Sequence, residues 1–146
     1  MRYVDAYALT KNVLERMGQM YARRGMTVTA LRFHWILTDE EVRQLLREEI
    51  SEADEARNLW GYVGLQDAAR ACIATLTPRE ADAAYQVLLV ASDTTRVNTP
   101  IEHLLRRWCP DTELRAPLTG TQGAFDCSRA ARTIGWHAGP DWRDHP

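Results

Sequence analysis

Tyr7 and Lys11 are the residues of this sequence whose types and spacing best suit proton transfer. Among 18 basic residues, Lys11 is the single lysine and the others are all arginines. A guanidinium is a fixed charge, whereas an ammonium on a flexible stem is compact and can stabilise an ionised phenol beside it. Residues four apart share a helix face, so the Lys11 ammonium is expected near the Tyr7 hydroxyl. The pair is therefore a candidate proton-transfer device.

The energy that this chemistry requires is moderate. The pKa of a free tyrosine is about 10, and lowering it toward about 7 requires about 4 kcal/mol. One cation at hydrogen-bonding range in a partly dry site supplies part of that energy. With five tyrosines in 146 residues, chance alone places a lysine four positions after a tyrosine in about 3 of 100 such sequences. Coincidence and a nucleotide bias toward arginine therefore stay open as alternatives.

The elements around the pair are predicted to be a helix and a strand. Asp5 is a suitable N-cap for a helix over 6–24, and the apolar and β-branched residues of 27–33 predict a strand suited to a buried, parallel position. The helix carries a broad apolar surface, formed by Leu9, Val13, Leu14, Met17, Met20 and Tyr21. Such a surface needs a sheet on one side and a partner helix on the other.

The rest of the sequence alternates between helices and strands. A capping box at 38–41 predicts a helix that directs Val42, Leu45 and Leu46 inward. The remaining predicted elements are strands over 60–65 and 85–91, a helix over 67–76 with Asp67 as N-cap, helices beginning at 77–80 and 99–102, and a closing helix within 125–136. This alternation predicts an α/β fold.

Four stretches of the sequence resemble one known family. They are 7–11 at the start of the first helix, 26–33 in the strand after it, 59–70 where a strand enters a helix, and 125–136 followed by Trp142 and Arg143. They are similar to the active-site helix, the following strand and the closing elements of the extended short-chain dehydrogenase/reductase family, which includes the NAD(P)-dependent sugar epimerases and dehydratases. The resemblance covers nearly the whole chain but only the second half of the family's usual length.

The resemblance implies how the fold is organised. A partial Rossmann-like unit, made of the active-site helix and the following parallel strand, would be joined to a small α/β substrate-binding region. Residues 1–50 would form the C-terminal remainder of a Rossmann-like NAD(P)-binding domain. Residues 51–146 would form the substrate-binding region.

The resemblance also implies an activity and the residues that carry it. Tyr7 would exchange a proton with a hydroxyl of a sugar or nucleotide-sugar-like substrate, while a hydride passes to or from the nicotinamide of NAD or NADP. Lys11 would lower the pKa of Tyr7 and hold the nicotinamide ribose. Three residues would line the nicotinamide end of the cofactor pocket, Phe33, His34 and Trp35. Arg57 would meet a substrate phosphate. Ordinary aromatic packing at 33–35 and a solvated charge at Arg57 are the alternatives.

Two features of the resembled family are not found in this sequence. Members hold the cofactor pyrophosphate on a glycine-rich turn, and they carry an active-site serine on the strand before the tyrosine. The stretch 120–126 has two glycines but is predicted to be a loop. We therefore expect a truncated enzyme that docks a separate N-terminal half, or a second copy, through its first helix. A catalytically inactive remnant or assembly module and an unrelated small α/β binding domain are the alternatives.

Composition limits the remaining classes of function. A net charge of −2 with interspersed signs argues against nucleic-acid binding. No segment approaches the 18 apolar residues of a membrane-spanning helix, and the N-terminus lacks the pattern of a signal peptide. The three cysteines include no C-x-x-C pair, which indicates reduced thiols in the cytoplasm rather than disulfides. Neither cysteines nor histidines have ligand spacing, so no metal is expected.

Overall fold

The protein has an α/β fold with parallel strands, that of a partial Rossmann-like unit. The computed structural model describes residues 5–45, 47–48, 50–77 and 83–144. The helices are α1 (Ala6–Ala22), α2 (Asp39–Leu45), α3 (Glu52–Glu55), α4 (Leu65–Thr75), α5 (Ile101–Trp108) and α6 (Ser128–Ile134), with 3-10 turns at Ala56–Asn58 and Trp142–Asp144. The strands are β1 (Val28–Phe33), β2 (Ile36–Leu37), β3 (Val63–Gly64) and β4 (Tyr85–Val90).

Local sequence signals account for the first helix and its return into a strand. The Asp5 carboxylate accepts a hydrogen bond of 2.7 Å from the backbone N–H of Ala8, so the predicted N-cap is confirmed. Gly25 has a φ of 91°, a left-handed conformation that glycine adopts without strain. This turn reverses the chain, so α1 and β1 run in opposite directions. The first turn of α1 consequently lies beside the last residues of β1.

The strands form two small parallel sheets. β1 pairs with β4 from Val28–Tyr85 to Phe33–Val90, and β2 pairs with β3. One face of the first sheet packs on α4 and α6, where Leu88, Val90 and Ala130 are fully buried. α1 contacts the same sheet through β1 and β4. The predicted strands 27–33 and 85–91 are confirmed as parallel, but β1 is only half-buried, because in the described part of the chain β4 is its one neighbour.

The apolar surface of α1 is largely uncovered. Large side chains on this helix are 39–70% exposed, namely Tyr7, Leu9, Val13, Leu14, Met17, Met20 and Tyr21. The predicted sheet lies against one side of the helix, whereas no partner helix covers it within the described ranges. An apolar surface of this extent commonly marks a site of association.

Several sequence predictions need correction. The strand predicted over 60–65 is confined to Val63–Gly64, because Leu59 and Trp60 adopt left-handed conformations with φ of 50° and 53°. Asp67 is not the N-cap of α4; Gly64 takes that position, and the Asp67 carboxylate instead accepts a hydrogen bond of 2.8 Å from Gly139. The helix predicted to begin at 99–102 is found as α5, but Thr99 does not cap it, because its hydroxyl donates to Glu52 and Pro100 takes the N-cap position.

Other predictions are confirmed or lie outside the described residues. The capping box at 38–41 is confirmed, since the backbone N–H of Thr38 donates to Glu41 at 2.7 Å and that of Glu41 donates to the Thr38 hydroxyl at 3.3 Å. Residues 78–80 of the helix start predicted at 77–80 lie outside the described ranges, and so does Leu46. β1 precedes residue 50 and β4 follows it, and the two strands pair in one sheet. The division of the chain into two regions at residue 50 stays a prediction.

No membrane-spanning helix and no metal-binding cluster lies in the described parts of the chain. There, no helix combines the length and the apolar character needed to cross a bilayer. No group of three or more histidine, cysteine, aspartate or glutamate side chains is arranged to hold a metal ion in the same ranges. Cys72, Cys109 and Cys127 are all free.

Candidate active site

An open groove of about 1000 Å³ lies between α1 and the edge of β1 that no strand of the described residues covers. It extends past the carboxyl end of β1, the position at which open α/β sheets bind their ligands. Predicted site residues from two separate elements line the wall of this groove. α1 provides Tyr7 and Lys11, while the end of β1 and the residues after it provide Phe33, His34 and Trp35. Long-range packing therefore brings five of the six predicted site residues to one groove.

The Tyr7 and Lys11 side chains lie together on the groove face of α1. The Lys11 Nζ atom is 5.0 Å from the centroid of the Tyr7 ring, in a cation–π arrangement. Tyr7 is 70% exposed, so its hydroxyl is open to a ligand rather than enclosed in the core. An ammonium over the ring face is attracted by the negative π-surface, and a positive charge near the ring favours the ionised form of the phenol. This arrangement can support proton transfer.

Glu15 and Arg32 form an ion pair that crosses the groove wall. Arg32 donates from Nε and Nη2 to the two Glu15 oxygens at 2.7 and 2.8 Å. These bonds hold the pKa of the Glu15 carboxyl below its usual range and raise the pKa of Arg32. The pair links the middle of α1 to β1 by a bidentate contact, which fixes orientation as well as distance.

His34 is held by both of its ring nitrogens. Nδ1 accepts a hydrogen bond of 2.7 Å from the backbone N–H of Trp35, so Nε2 carries the hydrogen and donates it to the Asn58 carbonyl at 3.0 Å. The centroid of the His34 ring lies 4.7 Å from the centroid of the Phe125 ring. Gly61 permits this approach, because a Cβ there would lie 2.5 Å from Phe125 and 2.9 Å from His34 Nε2. His34 therefore ties the end of β1 to the 3-10 turn that carries Asn58.

Trp35 presents a flat apolar surface to the groove and is backed by a buried ion pair. The Trp35 side chain is 51% exposed, and the Arg96 guanidinium lies 5.0 Å from the centroid of its ring. Arg96 and Glu55 are 9% and 8% exposed and form an ion pair with each other. A cation stacked on one face of the ring restricts its rotation. The Arg96–Glu55 ion pair thus supports one face of the Trp35 ring and holds it in place.

Arg57 lies beside the groove rather than on its wall. It belongs to the 3-10 turn Ala56–Asn58 and is exposed, whereas its neighbour Asn58 lines the groove. A long arginine side chain at this position can reach a ligand that protrudes from the groove. A role for Arg57 in binding substrate stays a prediction.

Sequence reasoning missed four groups at this site, namely Glu15, Arg32, Asn58 and Arg96. Glu15 had a detectable signal, because it follows Lys11 by four residues and must share its helix face. The other three had none, since Arg32 and Asn58 reach the groove, and Arg96 reaches the Trp35 ring, only when separate elements pack together.

Acidification is expected to destabilise the fold through His34. Burial is the main reason that the pKa of His34 is lowered from 6.5, with the Arg96 charge acting in the same direction. Because the unfolded chain then binds protons first as the pH falls, the contribution of His34 is complete above about pH 6.5 and is lost below it. For this half-buried ring the expected loss in the free energy of unfolding is about 1 kcal/mol at most.

Urea denaturation at pH 7.5 and at pH 5.5 measures this effect. His34→Asn should reduce the difference in unfolding free energy between the two pH values. The exposed His103 provides the matched control, and His103→Asn should leave the difference as in the parent. An unchanged difference in the His34 variant would contradict the assignment.

Comparison with known proteins gives one partial similarity. Over 55 residues the chain is 42% identical to the L-arabinose 1-dehydrogenase (NAD(P)(+)) of Haloferax volcanii. The chain is related to an oxidoreductase. The matched segment covers 37% of this chain and 22% of that dehydrogenase. No family model matches the chain, and no solved structure is significantly similar to it.

Proposed function

We propose that the chain is the proton-transferring part of an NAD(P)-dependent oxidoreductase of the epimerase/dehydratase kind, acting on a sugar or nucleotide-sugar-like substrate. The observation that carries the proposal is the placement of Tyr7 and Lys11 together on the wall of a groove at the carboxyl end of β1. The partial similarity to an NAD(P)-dependent arabinose dehydrogenase supports the same class.

In this proposal Tyr7 and Lys11 act as one unit. The Tyr7 phenol exchanges a proton with a substrate hydroxyl, and the Lys11 charge stabilises the phenolate that remains. Lys11 also donates hydrogen bonds to the ribose next to the nicotinamide. A bound nicotinamide would supply or accept the hydride, which no amino-acid side chain can do.

The residues at the end of β1 fit one end of such a cofactor. Phe33 and Trp35 provide apolar surface on the groove wall, and Trp35 is fixed by the Arg96 guanidinium behind it. A flat, rigid aromatic surface suits stacking against a nicotinamide ring. His34 sets the direction of the chain here, because both of its ring nitrogens are occupied by backbone groups. Arg57 meets an anionic group of the substrate.

A partner completes the site by covering α1 and the free edge of β1. The exposed apolar side chains of α1 and the edge of a strand that has only β4 as a neighbour in the described residues favour association. The partner is a separate N-terminal half that binds the dinucleotide, or a second copy of this chain that covers the same surface. The same observation favours the second candidate function, a catalytically inactive assembly module that keeps the substrate-domain fold.

Titration with NADH and NADPH separates the two candidates. An oxidoreductase should show saturable quenching or enhancement of nicotinamide fluorescence, and Lys11→Met should weaken the affinity about tenfold, because one charge-assisted contact to the ribose is lost. Arg106→Met is the matched control, since it removes an exposed positive charge of α5 that does not line the groove and should leave the affinity unchanged.

The outcome decides between catalysis and assembly. Saturation that depends on Lys11 supports the oxidoreductase, and a panel of aldoses that begins with L-arabinose then tests the substrate class. Absence of saturation at millimolar cofactor, both alone and with a dinucleotide-binding partner present, favours the assembly module.

A further inference from the structure

Three groups of different chemistry follow one another along the groove face of α1. Tyr7, Lys11 and Glu15 are spaced four residues apart, so a phenol, an ammonium and a carboxylate occupy successive turns of the same face. All three line the groove. A carboxylate one turn away is a natural partner for an ammonium. Yet the Lys11 Nζ atom lies in the opposite direction, over the Tyr7 ring.

The Glu15 carboxylate is occupied by a group from another element. Arg32 of β1 binds both carboxylate oxygens, at 2.7 and 2.8 Å. The Glu15 side chain is only 20% exposed, whereas that of Arg32 is 60% exposed. The guanidinium therefore reaches from the exposed strand edge to a carboxylate that is largely enclosed by the groove.

We propose that Arg32 is a positioning residue that occupies the Glu15 carboxylate and so leaves the Lys11 ammonium available to Tyr7. The inference rests on the proposed function, in which this ammonium stabilises the Tyr7 phenolate. Arg32 does not touch the phenol, and it acts through Glu15. Without it, the nearest opposite charge on the same face of α1 would attract Lys11 one turn away from the phenol.

Arginine is suited to this competition and lysine is not. A planar guanidinium binds a carboxylate through two parallel hydrogen bonds, whereas an ammonium makes a single-point contact with more freedom. A Lys–Glu pair with lysine four residues before the glutamate is also the weaker orientation on a helix. The lowered pKa of Glu15 agrees with this preference, because the hydrogen bond from Arg32 is its largest cause.

The titratable groups that line the groove with Lys11 come from two elements. α1 contributes Tyr7 and Glu15, and β1 contributes Arg32 and the neutral His34 ring at its end. Tyr85 of β4 acts on Arg32 from the neighbouring strand. Of these groups, Glu15 carries the negative charge next to Lys11 at neutral pH, so its partner decides where the ammonium lies.

The sequence offers a direct probe of this arrangement. Because Lys11 is the single lysine, protein labelled with carbon-13 lysine gives one side-chain spin system in an NMR spectrum. The Tyr7 ring shifts the resonances of the nearby lysine Hε protons upfield, and Tyr7→Leu identifies the size of that shift. The measurement requires neither cofactor nor turnover.

We expect Arg32→Gln to free Glu15 and draw Lys11 away from Tyr7. The ring-current shift should then fall by at least half, because the ammonium leaves the Tyr7 ring for the freed carboxylate. The double variant Glu15→Gln/Arg32→Gln should restore the ring-current shift, because no free carboxylate competes for Lys11.

Two results would overturn the inference. The first is a ring-current shift in Arg32→Gln equal to that of the parent, and the second is a double variant that behaves like Arg32→Gln, as expected if the ion pair merely supports the fold. Circular dichroism of both variants checks that α1 is retained. A positive NMR result with no cofactor binding would retain Arg32 as the residue that places Lys11 and remove the proposed catalysis.

Discussion

Replacing Lys11 with methionine is expected to lower kcat/KM about 100-fold or more, in the chain assembled with the proposed dinucleotide-binding partner. Methionine keeps the length and the apolar stem of the side chain but removes the ammonium 5.0 Å from the Tyr7 ring. The phenolate then loses its stabilising charge, and a 100-fold decrease corresponds to about 2.7 kcal/mol of transition-state stabilisation. The rate of change of nicotinamide absorbance measures the effect.

Two further variants show whether the residues act as a unit. Tyr7→Phe should lower the rate to a similar extent, and the double variant should be no slower than the worse single variant, because groups that act together are not additive. Lys11→Arg should recover only part of the activity, since a guanidinium keeps the charge but not the compact geometry. Turnover of Lys11→Met within a few-fold of the parent would rule out the proton-transfer mechanism.

Replacing Trp60 with alanine is expected to lower the free energy of unfolding by about 3–5 kcal/mol. The Trp60 side chain is fully buried against Val97, Ile101 and Leu104. Its ring N–H donates a hydrogen bond of 2.8 Å to the Glu52 carbonyl. Alanine would leave a large cavity and an unpaired carbonyl. Urea denaturation followed by circular dichroism measures the change.

Matched variants divide this effect into packing and hydrogen bonding. Trp60→Phe should cost less than Trp60→Ala, because the phenyl ring fills most of the space and only the hydrogen bond is lost. Trp108→Ala removes a tryptophan that is 36% exposed and should cost about 1 kcal/mol or less. Equal losses for Trp60→Ala and Trp108→Ala would show that Trp60 does not anchor the segment.

The Trp60 variant also tests whether this core residue stabilises the wall of the groove. Trp60 follows the 3-10 turn that carries Arg57 and Asn58, and the Trp60 carbonyl accepts a hydrogen bond of 2.9 Å from the Arg96 backbone. Loss of the buried Trp60 ring should loosen this segment and with it the contact between Asn58 and His34. The far end of the groove therefore depends on a core residue that does not line it.

Local patterns in the sequence were sufficient for α1 and for the Tyr7–Lys11 pair. The helix needs an N-cap and a suitable spacing of apolar residues, and both are readable from consecutive positions. Once the helix exists, its geometry alone puts residues four apart on one face. β1 and β4 were predictable for the same reason, because their apolar and β-branched composition is a local property.

Errors arose where an interaction with a distant residue replaced a local one. Asp67 has the composition of an N-cap, but its carboxylate binds Gly139 and Arg70 instead. Thr99 donates to Glu52 rather than to its own helix. The backbone of Trp60 leaves the extended conformation because burial of its ring stabilises a left-handed geometry that the sequence alone disfavours.

The sequence by itself determined the α/β class, the helix that carries Tyr7 and Lys11, and the strand that follows it. Only the tertiary structure decided which strand pairs with β1, how Arg32 reaches Glu15 and how His34 is held by Asn58. The physical reason is range. Helix spacing and capping depend on neighbours within one or two turns, whereas the groove is formed by side chains from separate elements, whose contacts exist only after those elements have packed.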